Sequence, residues 1–153
     1  MIEVLLSGQL LIHHWCGVRH RYPVSTAAAG AGNRRGSGQT PLGRHRIYAR
    51  IGAGMPAGTI FRGRRPVGIF DPTRHDPRAD WILSRILWLE GEETGVNRRG
   101  AVDTRARFIY IHGTADEAAI GTACSHGCIR MRNADIIRLF DRCRLGERVV
   151  IRR

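Results

Sequence analysis

A cysteine and two histidines in the last third of the chain have the residue types and spacing of a nucleophilic site. Cys128 directly follows Gly127 and lies two residues after His126, and His112 precedes it by sixteen positions. A thiol attacks an acyl carbon as a thiolate, so the site needs a proton acceptor, surroundings that lower the thiol pKa, and N–H donors for the oxyanion. The pattern predicts Cys128 as the nucleophile and His112 as its general base.

The local sequence also predicts how these groups are positioned. His112 follows the run 107–111, whose bulky and β-branched residues favour a strand, and a base at the end of a strand is held rigidly. Gly127 lets the backbone turn tightly enough to direct consecutive N–H groups at one point.

At these residues the chain resembles the YkuD, or L,D-transpeptidase, family of bacterial cell-wall enzymes. The family pattern is a histidine, an intervening stretch, then Ser or Thr followed by His-Gly-Cys, a hydrophobic residue, and Asn or Arg. The sequence contains every element, with Arg130 in the last place. Segments 38–47, with its Thr-Pro-x-Gly stretch, and 22–26 are also similar to the family.

The resemblance implies a fold and a reaction. The expected fold is mainly β, a YkuD-like β-sandwich of mixed sheets with one main α-helix next to the catalytic loop. In the expected reaction, Cys128 attacks the carbonyl of the third residue of a peptidoglycan tetrapeptide stem, forms a thioester and expels D-alanine. Transfer of the acyl group to an amine gives a 3-3 crosslink, and transfer to water is an L,D-carboxypeptidase reaction.

The resemblance also assigns roles to neighbouring groups. The main-chain carbonyl of Gly113 is expected to orient His112, and the N–H groups of Gly127 and Cys128 are expected to bind the oxyanion. On the substrate side, Ser125 is expected to brace the loop by hydrogen bonding, and His126 to serve structure or substrate gating. Arg130 either binds a substrate carboxylate bidentately or forms a structural ion pair.

Two alternatives to catalysis remain at this stage. The side chains of His112, Cys124, His126 and Cys128 are of the types that bind zinc, although their spacing lacks the two-residue gap of structural zinc knuckles. A zinc-stabilised domain is therefore one alternative, and a non-catalytic murein-binding module is the other. The main hypothesis needs no cofactor and no metal.

Length and charge limit the class of protein. The 153 residues fit a single domain, 1–153. The formal charge of +12 is the difference between 25 basic and 13 acidic residues, and the basic residues are all arginine and are scattered along the chain. Because the short Arg pairs lack aromatic stacking platforms, we do not expect nucleic-acid binding. Peptidoglycan stem peptides or muropeptides, which carry carboxylates, suit the positive charge as well as nucleic acid does, and they are the expected partners. The sequence does not predict an oligomeric state.

The amino-terminal sequence and the cysteines concern the compartment. Residues 1–6 show no signal-peptide pattern, and no apolar run approaches the ~20 residues that span a bilayer. We expect a cytoplasmic protein that uses water as acceptor if the chain is complete, and a periplasmic or envelope protein if a leader was removed. All four cysteines are expected to be free thiols, with a regulatory Cys124–Cys128 disulfide as the alternative.

The remaining pattern predicts the elements that surround the site. A hairpin is expected at 2–6 and 9–13, strands at 19–25 and 43–51, and short strands or loops at 59–70. Segment 81–89 fits both a helix face and a buried strand, and the resemblance favours a strand. A helix is expected at 133–143 with Asn133 as its cap, then a closing strand at 148–151. Segment 27–38 is expected to be a long mobile loop.

Overall fold

A single hydrogen-bonded sheet of ten strands makes up most of the molecule, and the computed structural model describes all 153 residues. The main path of the sheet runs β3-β2-β1-β10-β4-β7-β5-β6, with β8 on the other side of β7 and β9 beyond β8. The strands are β1 (Ile2–Leu5), β2 (Leu10–Trp15), β3 (Val18–Pro23), β4 (Gly43–Ile51), β5 (Thr59–Arg62), β6 (Arg65–Ile69), β7 (Leu83–Gly91), β8 (Tyr110–Gly113), β9 (Ile129–Met131) and β10 (Arg148–Arg152).

The two ends of the chain meet in the middle of this path. β1 pairs antiparallel with β2, as the hairpin prediction required, and parallel with β10. β10 in turn pairs antiparallel with β4. The last strand of the sequence therefore joins the first hairpin to the strands that carry the site.

The ambiguous segment 81–89 contains most of strand β7, so the choice of a strand is confirmed. β7 pairs with β4 along one edge and with β8 along the other. Eight of its nine residues are buried, including the polar Ser84 and Arg85, which explains why the apolar residues do not alternate strictly with polar ones. A register shift at Ser84, whose φ is +72°, divides the strand where β4 gives way to β5.

Strand β8 begins at Tyr110, three residues later than the run 107–111 predicts. The reason is a turn: Arg107 N–H donates to the Asp103 carbonyl at 3.0 Å, and Phe108 adopts a φ of +56°. The β-prone side chains at 107 and 108 are therefore used in a turn, because local hydrogen bonding outweighs their strand propensity.

One α-helix, α1 (Asn133–Arg142), follows β9 directly. Its buried residues Ile136, Leu139 and Phe140 belong to the apolar face that the spacing predicts, whereas Ile137, predicted on the same face, is half-buried. The predicted cap is wrong, because Arg132 is the N-cap residue and makes no side-chain capping bond. Asn133 instead lies in the first turn, and its Nδ2 donates to the Thr114 carbonyl at 2.8 Å, which ties the helix to the chain after β8.

The core lies between the inner face of the sheet and this helix. Eighteen buried residues form the main cluster, including Ile2, Leu87, Ile111, Ile129 and Phe140. A second cluster of Phe61, Ile86 and Tyr110 has Cys128 packed against it. The prediction of a mainly β fold with one main helix is confirmed, and both parallel and antiparallel pairs occur, although all strands belong to one sheet. No helix has the length and apolarity needed to cross a bilayer.

Candidate active site

The parallel pairing of β8 with β9 brings the predicted nucleophile and base to one face of the sheet. Ile111 pairs with Ile129 and His112 with Arg130. Successive side chains of a strand point to opposite faces. Because Ile111 and Ile129 enter the core, His112 points away from it, and Cys128, one residue before Ile129, lies on the same side as His112.

His112 is held by the chain that follows it. Its side chain is buried, and Nδ1 lies 2.6 Å from the Gly113 carbonyl oxygen, the orienting group that the resemblance implied. A carbonyl can only accept, so Nδ1 carries the proton and the lone pair is on Nε2. Burial lowers the pKa of His112 more than the Gly113 hydrogen bond and the charge of Asp80 raise it. The imidazole is therefore neutral and able to accept a proton.

Gly113 must be a glycine for steric reasons. A Cβ at this position would lie 2.5 Å from Asn133 Oδ1 and 2.6 Å from the Leu83 carbonyl oxygen. The residue after the base thus lets β7 and the start of α1 approach β8 closely.

The Cys128 thiol is half-buried against backbone groups of the neighbouring chain. Tyr110 N–H donates to Sγ at 3.3 Å, and Sγ lies 3.5 Å from the Phe108 carbonyl oxygen. Burial raises the pKa of Cys128 to about 11, although the Tyr110 N–H and the charges of Arg130 and Arg107 act in the opposite direction. The expectation of a lowered thiol pKa is wrong, because removal from water outweighs the nearby donors.

Hydrogen bonds from two hydroxyl groups hold the turn that carries Cys128. Ser125 Oγ donates to the Cys128 carbonyl at 2.6 Å and accepts from Gly127 N–H at 3.2 Å. Thr40 Oγ1 donates to the Gly127 carbonyl at 2.9 Å and accepts from Ala27 N–H at 3.0 Å. Ser125 therefore braces the loop, and the Gly127 N–H, an expected oxyanion donor, is engaged within it.

Hydrogen bonds also attach segment 27–38 and the Thr-Pro-x-Gly stretch to the catalytic loop. Ala28 N–H donates to the Ser125 carbonyl at 3.0 Å, so the irregular segment is anchored to the catalytic loop at this end. Thr40 is fully buried beneath it. In the sequence the stretch carries only a similarity to the family, and no local pattern indicates a contact of Thr40.

Gly127 has a backbone conformation that favours glycine, with a φ of +130°. A Cβ there would also meet Ile109 Cδ1 at 3.2 Å and the Gln39 carbonyl oxygen at 3.3 Å. Close beside it, the Arg107 guanidinium donates to that Gln39 oxygen at 2.6 Å. Arg107 was not predicted, and it contributes a partly buried positive charge next to the turn.

Arg130 forms the ion pair that the sequence left as an alternative to substrate binding. Its Nη2 lies 2.7 Å from Asp80 Oδ1, and its side chain is 9% exposed. His126 is exposed, and its Nδ1 lies 3.3 Å from Asp80 Oδ2. Burial alone would raise the pKa of Asp80, but the charge of Arg130, the neighbouring His112 ring and the hydrogen bonds from His126 and Arg130 lower it overall. Asp80 is thus an anion that joins the two residues.

Asp80 had no signal in the sequence. It lies far from Cys128 along the chain, in a segment without an element, and only the tertiary structure brings it to the site. The roles of Arg130 and His126 toward a substrate stay predictions. For the zinc alternative, the structure contains no group of three or more His, Cys, Asp or Glu side chains arranged to hold a metal ion.

Two surface grooves border the site. The first is lined by Ile60, Phe61 and the segment from Ala79 to Ile82, and it reaches the site at Asp80. The second is lined by Arg35, Arg107, Phe108, Ile109 and His126. Each groove has a lining residue in contact with the Cys128 turn: Asp80 of the first groove contacts His126, and the carbonyl of Phe108 in the second contacts Cys128 Sγ.

Comparison with known proteins points to one family. The profile of the L,D-transpeptidase catalytic domain, YkuD, matches residues 2–151. A Bacillus subtilis protein named as an L,D-transpeptidase, YqjB, is 43% identical over 51 residues, which are 33% of this chain and 29% of that protein. YkuD of the same organism, also named as an L,D-transpeptidase, is 54% identical over 43 residues, 28% of this chain and 26% of that protein. The matches thus span less than a third of these curated relatives.

Solved structures show the same fold at low identity. L,D-transpeptidase 3 from Mycobacterium tuberculosis superposes with a TM-score of 0.61 at 14% identity, covering 99% of this chain and 60% of that one. A complex of the same protein with a faropenem-derived adduct gives a TM-score of 0.58 at 15% identity, with 99% and 59% covered.

Proposed function

Because the chain belongs to the YkuD family of L,D-transpeptidase catalytic domains, we propose that it transfers acyl groups of peptidoglycan stem peptides through a thioester on Cys128. The observation that carries the proposal is the arrangement on β8 and β9. A neutral imidazole, fixed at Nδ1 by the Gly113 carbonyl, lies on the same sheet face as the Cys128 thiol. The free Nε2 of such an imidazole suits a general base.

In the first half-reaction the donor is a tetrapeptide stem. Cys128 Sγ bonds to the carbonyl carbon of the third residue while the thiol proton passes to His112 Nε2. Backbone N–H groups of Gly127 and Cys128 bind the oxyanion, and Gly127 gives up its hydrogen bond to Ser125 to do so. Collapse breaks the C–N bond to D-alanine, and His112 returns the proton to the leaving amine.

In the second half-reaction an acceptor resolves the thioester. His112 takes a proton from an amine or from water, the acceptor bonds to the acyl carbon, and the C–S bond breaks to restore the thiol. An amine of another stem gives a 3-3 crosslink, and water gives a tripeptide. The two grooves that meet the Cys128 turn support a division into donor and acceptor sides.

The test is incubation with purified tetrapeptide, with and without an amine acceptor, followed by mass spectrometry. We expect release of D-alanine, and the second product identifies the acceptor. Cys128→Ala should abolish this release, and Cys124→Ala should retain most of it. Release of D-alanine by Cys128→Ala at near the parent rate would contradict the proposal.

A carbapenem provides a second probe of the thiol that does not depend on the stem peptide. Its strained ring offers an acyl carbon to sulfur, so the mass of the intact protein should rise by one drug equivalent, and Cys128→Ala should show no rise. A folded parent protein that remains unmodified after prolonged incubation would argue against an acylating cysteine at this site.

A further inference from the structure

An arginine at the tip of the β5–β6 hairpin reaches back over the wall of the active site. Arg64 lies in the two-residue turn between the strands, with a φ of +64° after Gly63 at +52°. Such turns are ordinarily built from Asn, Asp or Gly, because both central residues need positive φ. An arginine here gains nothing conformationally, and it places a long cationic side chain at this point.

The Arg64 guanidinium rests on aromatic rings next to the nucleophile. Its central carbon lies 4.8 Å from the Trp88 ring centroid and 5.1 Å from that of Phe108. Its Nη1 donates to the Tyr110 hydroxyl at 3.1 Å. Tyr110 and Phe108 are the two residues whose backbone groups contact Cys128 Sγ. Arg64 therefore contacts the side chains of the two residues whose backbone groups contact the thiol.

No acidic side chain neutralises this arginine. The other arginine ion pairs near the site and sheet have Asp80, Glu90 or Glu93 as partners, whereas Arg64 has no carboxylate within ion-pair distance. Only one of its five N–H groups is used by Tyr110. The flat rings beneath it exclude water from one side and leave a planar fork of donors free for an anion.

We propose that Arg64 recognises a carboxylate of the substrate and thereby sets the specificity of the site for acidic stem peptides. The inference rests on the proposed function, because the substrate class comes from there. Two carboxylates of a stem have the required chemistry: that of the terminal residue, and that on the side chain of the third residue when it is a diamino diacid. Arg64 binds one of them in the fork while the acyl carbon reaches Cys128.

The first experiment compares three tetrapeptides on the parent, Arg64→Gln and Arg65→Gln proteins. One peptide is unmodified, one has an amidated terminal carboxylate, and one has an amidated side-chain carboxylate. Arg65 is an exposed residue of the same hairpin and donates no hydrogen bond to Tyr110, so its variant makes the same change of charge without losing that contact. We expect Arg64→Gln to raise KM for the unmodified peptide by about tenfold or more, with Arg65→Gln near the parent value.

The amidated peptides identify the carboxylate. In the parent protein, amidation of the recognised carboxylate should raise KM by a similar factor, and in Arg64→Gln the same amidation should have little effect. The proposal would be overturned if Arg64→Gln raised KM by the same factor over the parent for all three peptides. It would also be overturned if Arg64→Gln kept the parent KM for all three. Arg64→Lys should recover part of the effect, because charge is kept and the planar fork is lost.

A second experiment does not need peptide turnover and so separates this proposal from the proposed function. The rates of Cys128 alkylation by anionic iodoacetate and by neutral iodoacetamide are measured, and their ratio reports the positive field at the thiol. Arg64→Gln should lower the ratio several-fold, whereas Arg65→Gln should leave it near the parent value. A lowered ratio without peptide turnover would keep Arg64 as an anion receptor and reject the stem-peptide function. An unchanged ratio would count against Arg64.

Discussion

At the scale of single residues, the protonation state of the site follows from burial. Burial raises the pKa of Cys128 to about 11, and it lowers the pKa of His112. Both groups are therefore uncharged near neutral pH, so the proton moves as the sulfur attacks. A preformed thiolate–imidazolium pair is not the resting state.

This state predicts how thiol reactivity depends on pH and on His112. In the resting parent, alkylation of Cys128 by iodoacetamide should rise steeply through pH 8 to 10 and level off only above pH 11, because the thiolate is the nucleophile. His112→Ala should slow peptide turnover by about 10²–10⁴-fold. At pH above 11 its alkylation rate should match the parent, because the base is then not needed.

The matched variants for this prediction are two other histidines. His14→Ala, on β2, should keep the parent turnover, and His126→Ala tests whether the neighbouring histidine is the base instead. Loss of turnover in His126→Ala with retention in His112→Ala would reverse the assignment.

At the scale of elements, the site is built from segments that are distant in sequence. The turn before β9 carries Cys128, β8 carries His112, and the stretch before β4 supplies Thr40 beneath the turn. Because Thr40 Oγ1 donates to the Gly127 carbonyl and accepts from Ala27 N–H, one hydroxyl fixes two loops at once. The position of Cys128 thus depends on the stretch before β4, which contributes no residue to the proposed reaction.

Thr40→Val should expose this dependence. The substitution keeps the shape and leaves a buried carbonyl and a buried N–H without partners, so we expect a loss of about 1–3 kcal/mol in the free energy of unfolding. Turnover should fall as well, since the Cys128 turn is no longer held. Urea denaturation and steady-state kinetics measure the two effects, and Thr40→Ser, which keeps the hydroxyl, is the control. Equal stability and activity of the Val and Ser variants would show that the bonds are not needed.

At the scale of the whole molecule, a buried histidine links the fold to pH. His45 on β4 is fully buried, with Nδ1 3.0 Å from the Gly43 carbonyl oxygen and Nε2 3.0 Å from Thr104 Oγ1. Burial lowers the pKa of His45 from 6.5 to about 4. The neutral imidazole joins the central strand β4 to the chain that leads into β8.

The sign of the pH effect follows from this lowered pKa. The unfolded chain binds a proton below pH 6.5 and the folded chain only near pH 4, so stability is complete above 6.5 and is lost as the pH falls toward 4. The loss from His45 alone should reach about 3 kcal/mol. Denaturant unfolding at pH 7 and pH 4 measures it, and His45→Gln should show a smaller difference between the two pH values than the parent. The same pH dependence in both proteins would assign the acid sensitivity to other groups.

The family resemblance supplied the Gly113 carbonyl as orienting group, and the sequence by itself determined the nucleophile and base hypotheses and most of the elements. These predictions rest on local information: residue types, short spacings, and periodic patterns such as the buried face of α1. The single helix and the strands of the amino-terminal hairpin, β4 and β10 follow from the same kind of information.

Only the tertiary structure decided the rest, because burial and long-range contacts have no local signature. Asp80, Arg64 and Thr40 reach the site from segments far from Cys128 in the chain. The pKa of the thiol depends on how much water the surrounding chain removes, so the sequence predicted its direction wrongly. Asn133 was predicted to cap the helix, but its side chain instead donates to the Thr114 carbonyl on the chain after β8, a long-range contact that the local sequence does not show.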